Sequence, residues 1–217
     1  MFDVAGQRRN RAYAARMPRE QRREQIIEGV VRVIAHQGVH KVSIDSVARE
    51  IGVTRPVVYG LFTDSNQLLR AALEDQGQRA MEQINTIVGH LNGEDPAELA
   101  VDYLEGFLQA VLEAPDRWRA IFMIADSSTP ASRKRLEWAR RAMIATFESY
   151  TRTVSKSSRN GSAIGSDPEM IARILYSLIW DAGRLALEEP KDFPPERILK
   201  FTSIPIRACF NQDIAKD

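Results

Sequence analysis

Residues 43–62 read SIDSVAREIGVTRPVVYGLF. Within them Ile44, Val47, Ala48 and Ile51 recur at i, i+3, i+4 and i+7, the spacing of one stripe along an α-helix. Ser43 stands just before that stripe, where a hydroxyl can cap an orphaned backbone N–H. Gly52 follows it, where helices often end in the left-handed conformation that glycine adopts without strain. Thr54 is placed to cap a second segment, and Pro56 is tolerable because it falls in that segment's first turn. Val57, Val58, Leu61 and Phe62 supply its apolar anchors. Two short helices joined by a tight glycine-containing turn make a helix-turn-helix. The second carries Thr54, Arg55 and Tyr59, groups able to meet phosphates or base edges. The stretch predicts a DNA-reading head.

Charge is distributed to match. Residues 1–60 hold 11 Lys/Arg and 6 Asp/Glu, whereas the remainder holds 19 and 23, although the whole chain of 217 residues is only +1. The positive half contains the helix-turn-helix, as phosphate binding requires, although arginines before residue 24 supply much of the excess. Composition otherwise describes a globular protein: 44 % of residues are hydrophobic, and no apolar run approaches the ~18 residues of a membrane span. The basic opening stretch has no apolar core of a secretory signal, and the single cysteine, Cys209, fits a reducing compartment. A cytoplasmic protein is expected.

Upstream of the head, residues 1–17 carry Arg8, Arg9, Arg11 and Arg16 with few apolar anchors, the pattern of a disordered basic arm. Pro18 suits a helix start, and Ile26, Ile27, Val30, Val33 and Ile34 form a stripe ending at Gly38. This first helix completes a three-helix core. His36 and His40 lack the cysteine or carboxylate neighbours of a metal site.

The run RREQIIEGVVRVIAHQGVHKVSIDSVAREIGVTRPVVYGLFTDSNQLLRAAL resembles the N-terminal domain of the TetR family. The resemblance spans roughly residues 20–73 and rests on Gly38, Ser43, Ala48, Gly52, Val53, Thr54, Tyr59, Phe62, Leu68 and Leu69 in order. Two positions depart from the pattern. Leu61 stands where the family usually has His or Tyr, and Ser65 where it often has a phosphate-contacting Lys. The resemblance implies an all-α protein: a helix-turn-helix DNA-binding domain over 18–64, then a helical ligand-binding and dimerisation domain over 65–217.

Downstream the pattern stays helical. Asp64 to Gln67 reads as a capping box opening a helix over 65–91, with no linker between it and the head. Pro96 opens a helix to Ala114 with Val101, Leu104, Leu108, Val111 and Leu112 inside. Pro115 ends it, and Asp116 caps a short segment over 117–125. After a turn at 127–130, a helix over 131–154 carries Leu136, Met143, Ile144, Phe147 and Tyr150, opening on the basic run SRKRLEWARR. A flexible loop over 156–166 precedes helices over 168–188 and 195–214, the second interrupted by Pro205, where a kink is expected. Both have apolar stripes wider than one face, which implies burial on two sides.

Within the head, Ser43 and Thr54 suit phosphate oxygens and Arg55 suits bidentate contact with guanine. Pro56 and Val57 fit thymine methyls, and the resemblance assigns Tyr59 to a phosphate. One short helix reads few base pairs, so a two-fold dimer on a palindrome is expected. In the TetR family the last two helices pair with their copies. The resemblance thereby points to Ile171, Leu178, Leu185, Ile198, Phe201 and Pro205 as interface residues. It also implies a small-molecule effector, bound where large side chains gather: Tyr103, Phe107, Trp118, Phe122, Trp138, Phe147, Tyr176 and Trp180. Ser177 and Asp181 are candidate polar contacts there. For any one of these aromatics, packing in the core or at the dimer interface is the favoured reading.

No P-loop, G-x-G-x-x-G or HExxH pattern occurs, and three histidines and one cysteine are scattered, so neither catalysis nor a cofactor or metal is expected. The expected function is a homodimeric transcriptional regulator, a ligand-responsive repressor of a double-stranded DNA operator. The alternatives are a constitutive DNA-binding protein without effector and a small-molecule-binding protein with a degenerate head.

Overall fold

A computed structural model describes residues 17–93, 95–126, 137, 140–149, 151–152 and 167–210. The basic arm over 1–16, the 127–130 turn, Leu136, Trp138, Tyr150, most of the SRKRLEWARR run and the 156–166 loop lie outside them. The fold is all-helical. In chain order come α1 (Arg19–Gln37), a 3-10 turn (Val39–Lys41), α2 (Ile44–Glu50), α3 (Arg55–Tyr59) and α4 (Ser65–His90). Then follow α5 (Pro96–Glu113), α6 (Pro115–Asp126), a helical stretch at 140–149 termed α7, α8 (Pro168–Glu188) and α9 (Pro195–Ala208).

The periodic stripes bury as their spacing dictates. On α1, Ile26, Ile27, Val30, Val33 and Ile34 are at most 2 % exposed and pack against Val47 and Ala48 of α2 and Val58 of α3. The same cluster takes in Leu68, Ala71, Ala72 and Leu73 from the start of α4, and Ala120 and Ile124 from α6. The packing therefore does not divide at residue 64. The head shares its core with the helices that follow it.

A second cluster, larger and aromatic, is built by α4, α5, α6, α7, α8 and α9. α6 belongs to both: Ala120 and Ile124 face the head, whereas Trp118, Ile121 and Phe122 face the body. A helix with apolar residues around most of its surface is buried on more than one side, and α6, together with the long α4, bridges the two cores.

Several element boundaries differ from expectation. Pro115 starts α6 as well as closing α5, because the first turn of a helix has N–H groups without partners and proline lacks one. Asp116 thus sits inside α6 instead of capping it, and pairs with His36 Nε2 of α1 at 3.4 Å and with Arg119 at 3.7 Å. Leu112, expected in the core of α5, is 42 % exposed and borders a groove between α5 and α9 with Leu108 and Leu199. At α4, Asp64 accepts from Gln67 N as expected. The reciprocal bond goes one residue further back, from Thr63 N to Gln67 Oε1, at 2.7 Å. α9 continues through Pro205 and ends at Ala208 rather than near 214.

Candidate nucleic-acid interface

The head is shaped by its caps. Ser43 and Ser46 form a reciprocal capping box: Ser46 N donates to Ser43 Oγ at 3.0 Å, and Ser43 N donates to Ser46 Oγ at 2.9 Å. The Ser43 hydroxyl is thus engaged in holding the start of α2. At the other end Gly52 has φ 68°, and Val53 N donates to Ala48 O at 2.9 Å while Gly52 N donates to Arg49 O at 3.3 Å. That pair of bonds is the Schellman termination, which reverses the chain sharply and aims it into α3.

Thr54 occupies the cap position of α3, but its hydroxyl makes no capping bond. The reason is local. A cap hydroxyl bonds the second or third N–H of a helix, Pro56 has none, and the N–H of Val57 is taken by the Thr54 carbonyl at 3.0 Å. The Thr54 side chain is exposed.

α3 is two-faced. Val58 is fully buried and Phe62, four residues on, is 3 % exposed, so these two side chains pin it to the head core. Thr54, Arg55, Pro56 and Tyr59 lie on the exposed side, with Tyr59 58 % exposed, and Val57 is half-buried between the faces. Five of the six residues expected at DNA thus occupy one short strip, while Ser43 lies at the start of the preceding helix. One contact was not legible in the sequence. Arg55 forms an ion pair, through Nε, with the Asp45 carboxylate in the first turn of α2. Ten residues separate the partners, a distance at which only the folded turn brings them together.

Residues 26–72 match the sequence model of the family described as bacterial regulatory proteins, tetR family. An uncharacterized HTH-type transcriptional regulator of Mycobacterium tuberculosis is 29 % identical over 114 residues, 52 % of this chain and 47 % of that one. The chain thus spans about half the length of the curated relatives it matches. Among solved structures, a TetR-like transcriptional regulator from Rhodococcus sp. RHA1 superposes with a TM-score of 0.71 at 20 % identity, over 93 % of this chain and 100 % of that one. Residues 26–72 thus carry the sequence pattern of the tetR-family head, and the chain as a whole shares the fold of TetR-like regulators. A complex of SmeT with triclosan shares the fold at a TM-score of 0.64 and 17 % identity, over 91 % of this chain and 95 % of the other.

The body gathers its described large side chains in one cluster. Ring centroids lie 5.1 Å apart for Tyr103–Phe147, 4.9 Å for Phe107–Trp118, 4.8 Å for Phe122–Trp180 and 5.7 Å for Tyr176–Trp180. Tyr103, Phe107, Trp118, Phe122 and Phe147 are nearly fully buried, and Trp180 is half-buried. Burial pushes the Tyr103 phenol above its ordinary value of 10.0, and neighbouring Tyr176 adds to the shift. Ser177 and Asp181 are set apart from this cluster: both are exposed, and the Ser177 hydroxyl donates to Arg173 O at 2.9 Å.

Of the residues expected at a dimer interface, Phe201 is 59 % exposed and Pro205 is exposed, while Leu178 and Leu185 are half-buried. Ile171 and Ile198 are buried in the protomer's own core, at 8 % and 4 % exposure. Their helical faces turn inward toward α5 and its neighbours. The apolar surface of α8 and α9 is instead carried by Met170, Ile174, Phe201 and Ile204.

A polar seam joins body to head. Trp118 Nε1 of α6 donates to Gln83 Oε1 at 3.3 Å, and Arg117 donates to Gln83 at 2.9 Å and to Gln76 at 3.1 Å. Gln76 donates to Asp75 at 2.7 Å, and Arg79 links Asp75 to Glu24 of α1 at 3.0 and 2.9 Å. The glutamines at 76 and 83, two turns apart on α4, face α6 together.

Proposed function

We propose that the protein is a homodimeric transcriptional repressor that leaves a palindromic DNA operator when a small molecule binds its body. The observation that carries the reading is the two-faced α3. Its buried face anchors to a core shared with α4 and α6, and its outward strip offers Thr54, Arg55, Pro56 and Tyr59. A hydroxyl left out of capping, a guanidinium and a phenol on one strip suit phosphates and base edges. Ser65 leaves the start of α4 without a lysine, so affinity relies on paired heads.

The aromatic cluster supports an apolar effector. Among the described residues the Tyr103 hydroxyl has no hydrogen-bond partner, and a ligand acceptor would satisfy it. Triclosan, the compound bound by the SmeT neighbour, belongs to the aromatic, weakly polar class that such a lining favours. Because α6 packs on both cores, a ligand that spreads Trp118 and Phe122 also moves Ala120 and Ile124 against α1. The switch is then a population shift between head spacings, driven by the ligand's differential affinity for the two states. A protein acting on chromosomal DNA works in the cytoplasm.

Selection of bound duplexes from a random pool tests the reading. The wild-type protein is expected to enrich a palindrome. Arg55→Ala should relax preference at one base position per half-site, and Tyr59→Phe should weaken all sites alike. Equal weakening by both variants at every site would sink this division of roles.

A further inference from the structure

We propose that Asp45 is a positioning residue for base recognition, holding Arg55 by its Nε so that the two terminal nitrogens face one guanine as a free fork. The inference rests on the DNA-binding reading above and deepens it. Arginine carries five N–H donors in a fixed plane. The ion pair to Asp45 uses the Nε edge, which leaves Nη1 and Nη2, the pair that can meet guanine O6 and N7 end-on.

Placement favours this role over a purely structural one. Both side chains are substantially exposed, at 66 % for Arg55 and 46 % for Asp45, and ion pairs so placed contribute little to folding. α2 and α3 are already joined by the Schellman turn and by Val47, Ala48 and Val58 in the head core. What the carboxylate adds is order in a long side chain. An unrestrained arginine loses rotamer freedom when it binds, and one already held in place loses less. The pair also bears on what Arg55 reads. A guanidinium neutralised by a carboxylate has little attraction for phosphate, while its outward donors keep their geometry for a base edge. A carboxylate near the groove further disfavours misplaced phosphate by like-charge repulsion.

The test uses the full-length protein and the duplex that the wild-type enriches from a random pool, with Asp45→Ala and Asp45→Asn compared by fluorescence anisotropy. Replacing the selected guanine by 7-deazaguanine removes the N7 acceptor. It should weaken wild-type binding about tenfold, within the range of one bidentate contact. In Asp45→Ala the same replacement should matter less than about threefold, while binding to unrelated duplex stays equal or tightens. Asp45→Asn, which keeps an acceptor without the charge, should fall between. Loss of fold would lower affinity for all duplexes alike, and circular dichroism would register it. A guanine preference that survives both substitutions overturns the inference alone. A wild-type pool that enriches no sequence overturns the DNA-binding reading as well.

Discussion

Arg117 of α6 donates through Nε to Gln76 of α4 at 3.1 Å, and Gln76 is only 7 % exposed. The contact sits where the head's core and the body's core meet, and its effect on stability follows from what its removal leaves behind. Arg117→Met keeps an apolar stem against α4 but strands the Gln76 carbonyl oxygen, whereas that of Gln83 keeps the Trp118 indole N–H. An unpaired buried acceptor costs about 1–3 kcal/mol. The urea midpoint is expected to fall accordingly, with an unchanged denaturant slope. Adding Gln76→Leu should recover part of the loss, because removing both partners is milder than removing one. Additive losses would show that the two side chains do not act together.

Two glycines on the long helices make opposite predictions. A Cβ at Gly183 would lie 2.5 Å from Phe107 Cε1 and 3.3 Å from Phe122 Cζ, and both rings are buried in the core. Overpacking a filled core costs about 1–3 kcal/mol, against at most about 1 kcal/mol gained from helix propensity. Gly183→Ala should therefore lower the melting temperature. A Cβ at Gly77 meets nothing within 4 Å, so Gly77→Ala should stabilise by about 0.5–1 kcal/mol. A stable Gly183→Ala protein would mean that the aromatic cluster holds space for a methyl group, and hence room for a ligand.

Most of the head was legible because its signals are local. Capping serine, left-handed glycine and the i, i+4 anchors Val58 and Phe62 each act within a few residues, and the family resemblance covered the same span. Reading failed where chemistry depended on distance or on competition. Thr54 looked like a cap until Pro56 and the Thr54 carbonyl are counted as rivals for its donors. The Asp45–Arg55 pair needs the turn between them to form. In the body, wide apolar stripes announced two-sided burial but not which residues faced which side. Ile171 and Ile198 therefore went inward, and Ile204, not singled out from the sequence, went outward. The role of α6 as a bridge was hidden in a segment whose alternation of small and large side chains gains meaning only against α1 and the aromatic cluster.

Acid sensitivity should reside partly in the attachment of α9. Arg207 donates to both Glu98 oxygens of α5, at 2.7 and 2.9 Å, and this holds the Glu98 carboxyl below its ordinary value of 4.5. A carboxyl lowered by folding contributes stability that is fully present above the unfolded value and is lost as pH falls through the folded one. The N–H of Gln67, aided by the Thr63 hydroxyl, lowers the Asp64 carboxyl below 3.8, so the start of α4 loses support in the same direction. Urea midpoints should therefore drop from about pH 5 downward. In Glu98→Gln the drop should be shallower because the midpoint starts slightly lower at neutral pH, a small loss for so exposed a pair, and the two curves should converge in acid. Parallel curves for the two proteins would remove Glu98 from the account.

The exposed apolar side chains of α8 and α9 should be covered by a second copy of the chain. Phe201 and Ile204 are each 59 % exposed, and Met170 on the adjacent helix is 54 % exposed. Large apolar groups left in water at neighbouring positions mark an association surface, and a two-fold axis would bury each of them twice. A charge placed at the centre of such an interface opposes its own symmetry copy as well as desolvation. Ile204→Glu should accordingly sediment as a single protomer with unchanged helical circular dichroism, since the wild-type side chain is mostly exposed. Its affinity for a palindromic duplex should fall far more than its affinity for a half-site, because linkage of two heads is what raises the former. A variant that stays dimeric places the interface elsewhere. A monomer that still binds the palindrome at full strength separates recognition from dimerisation.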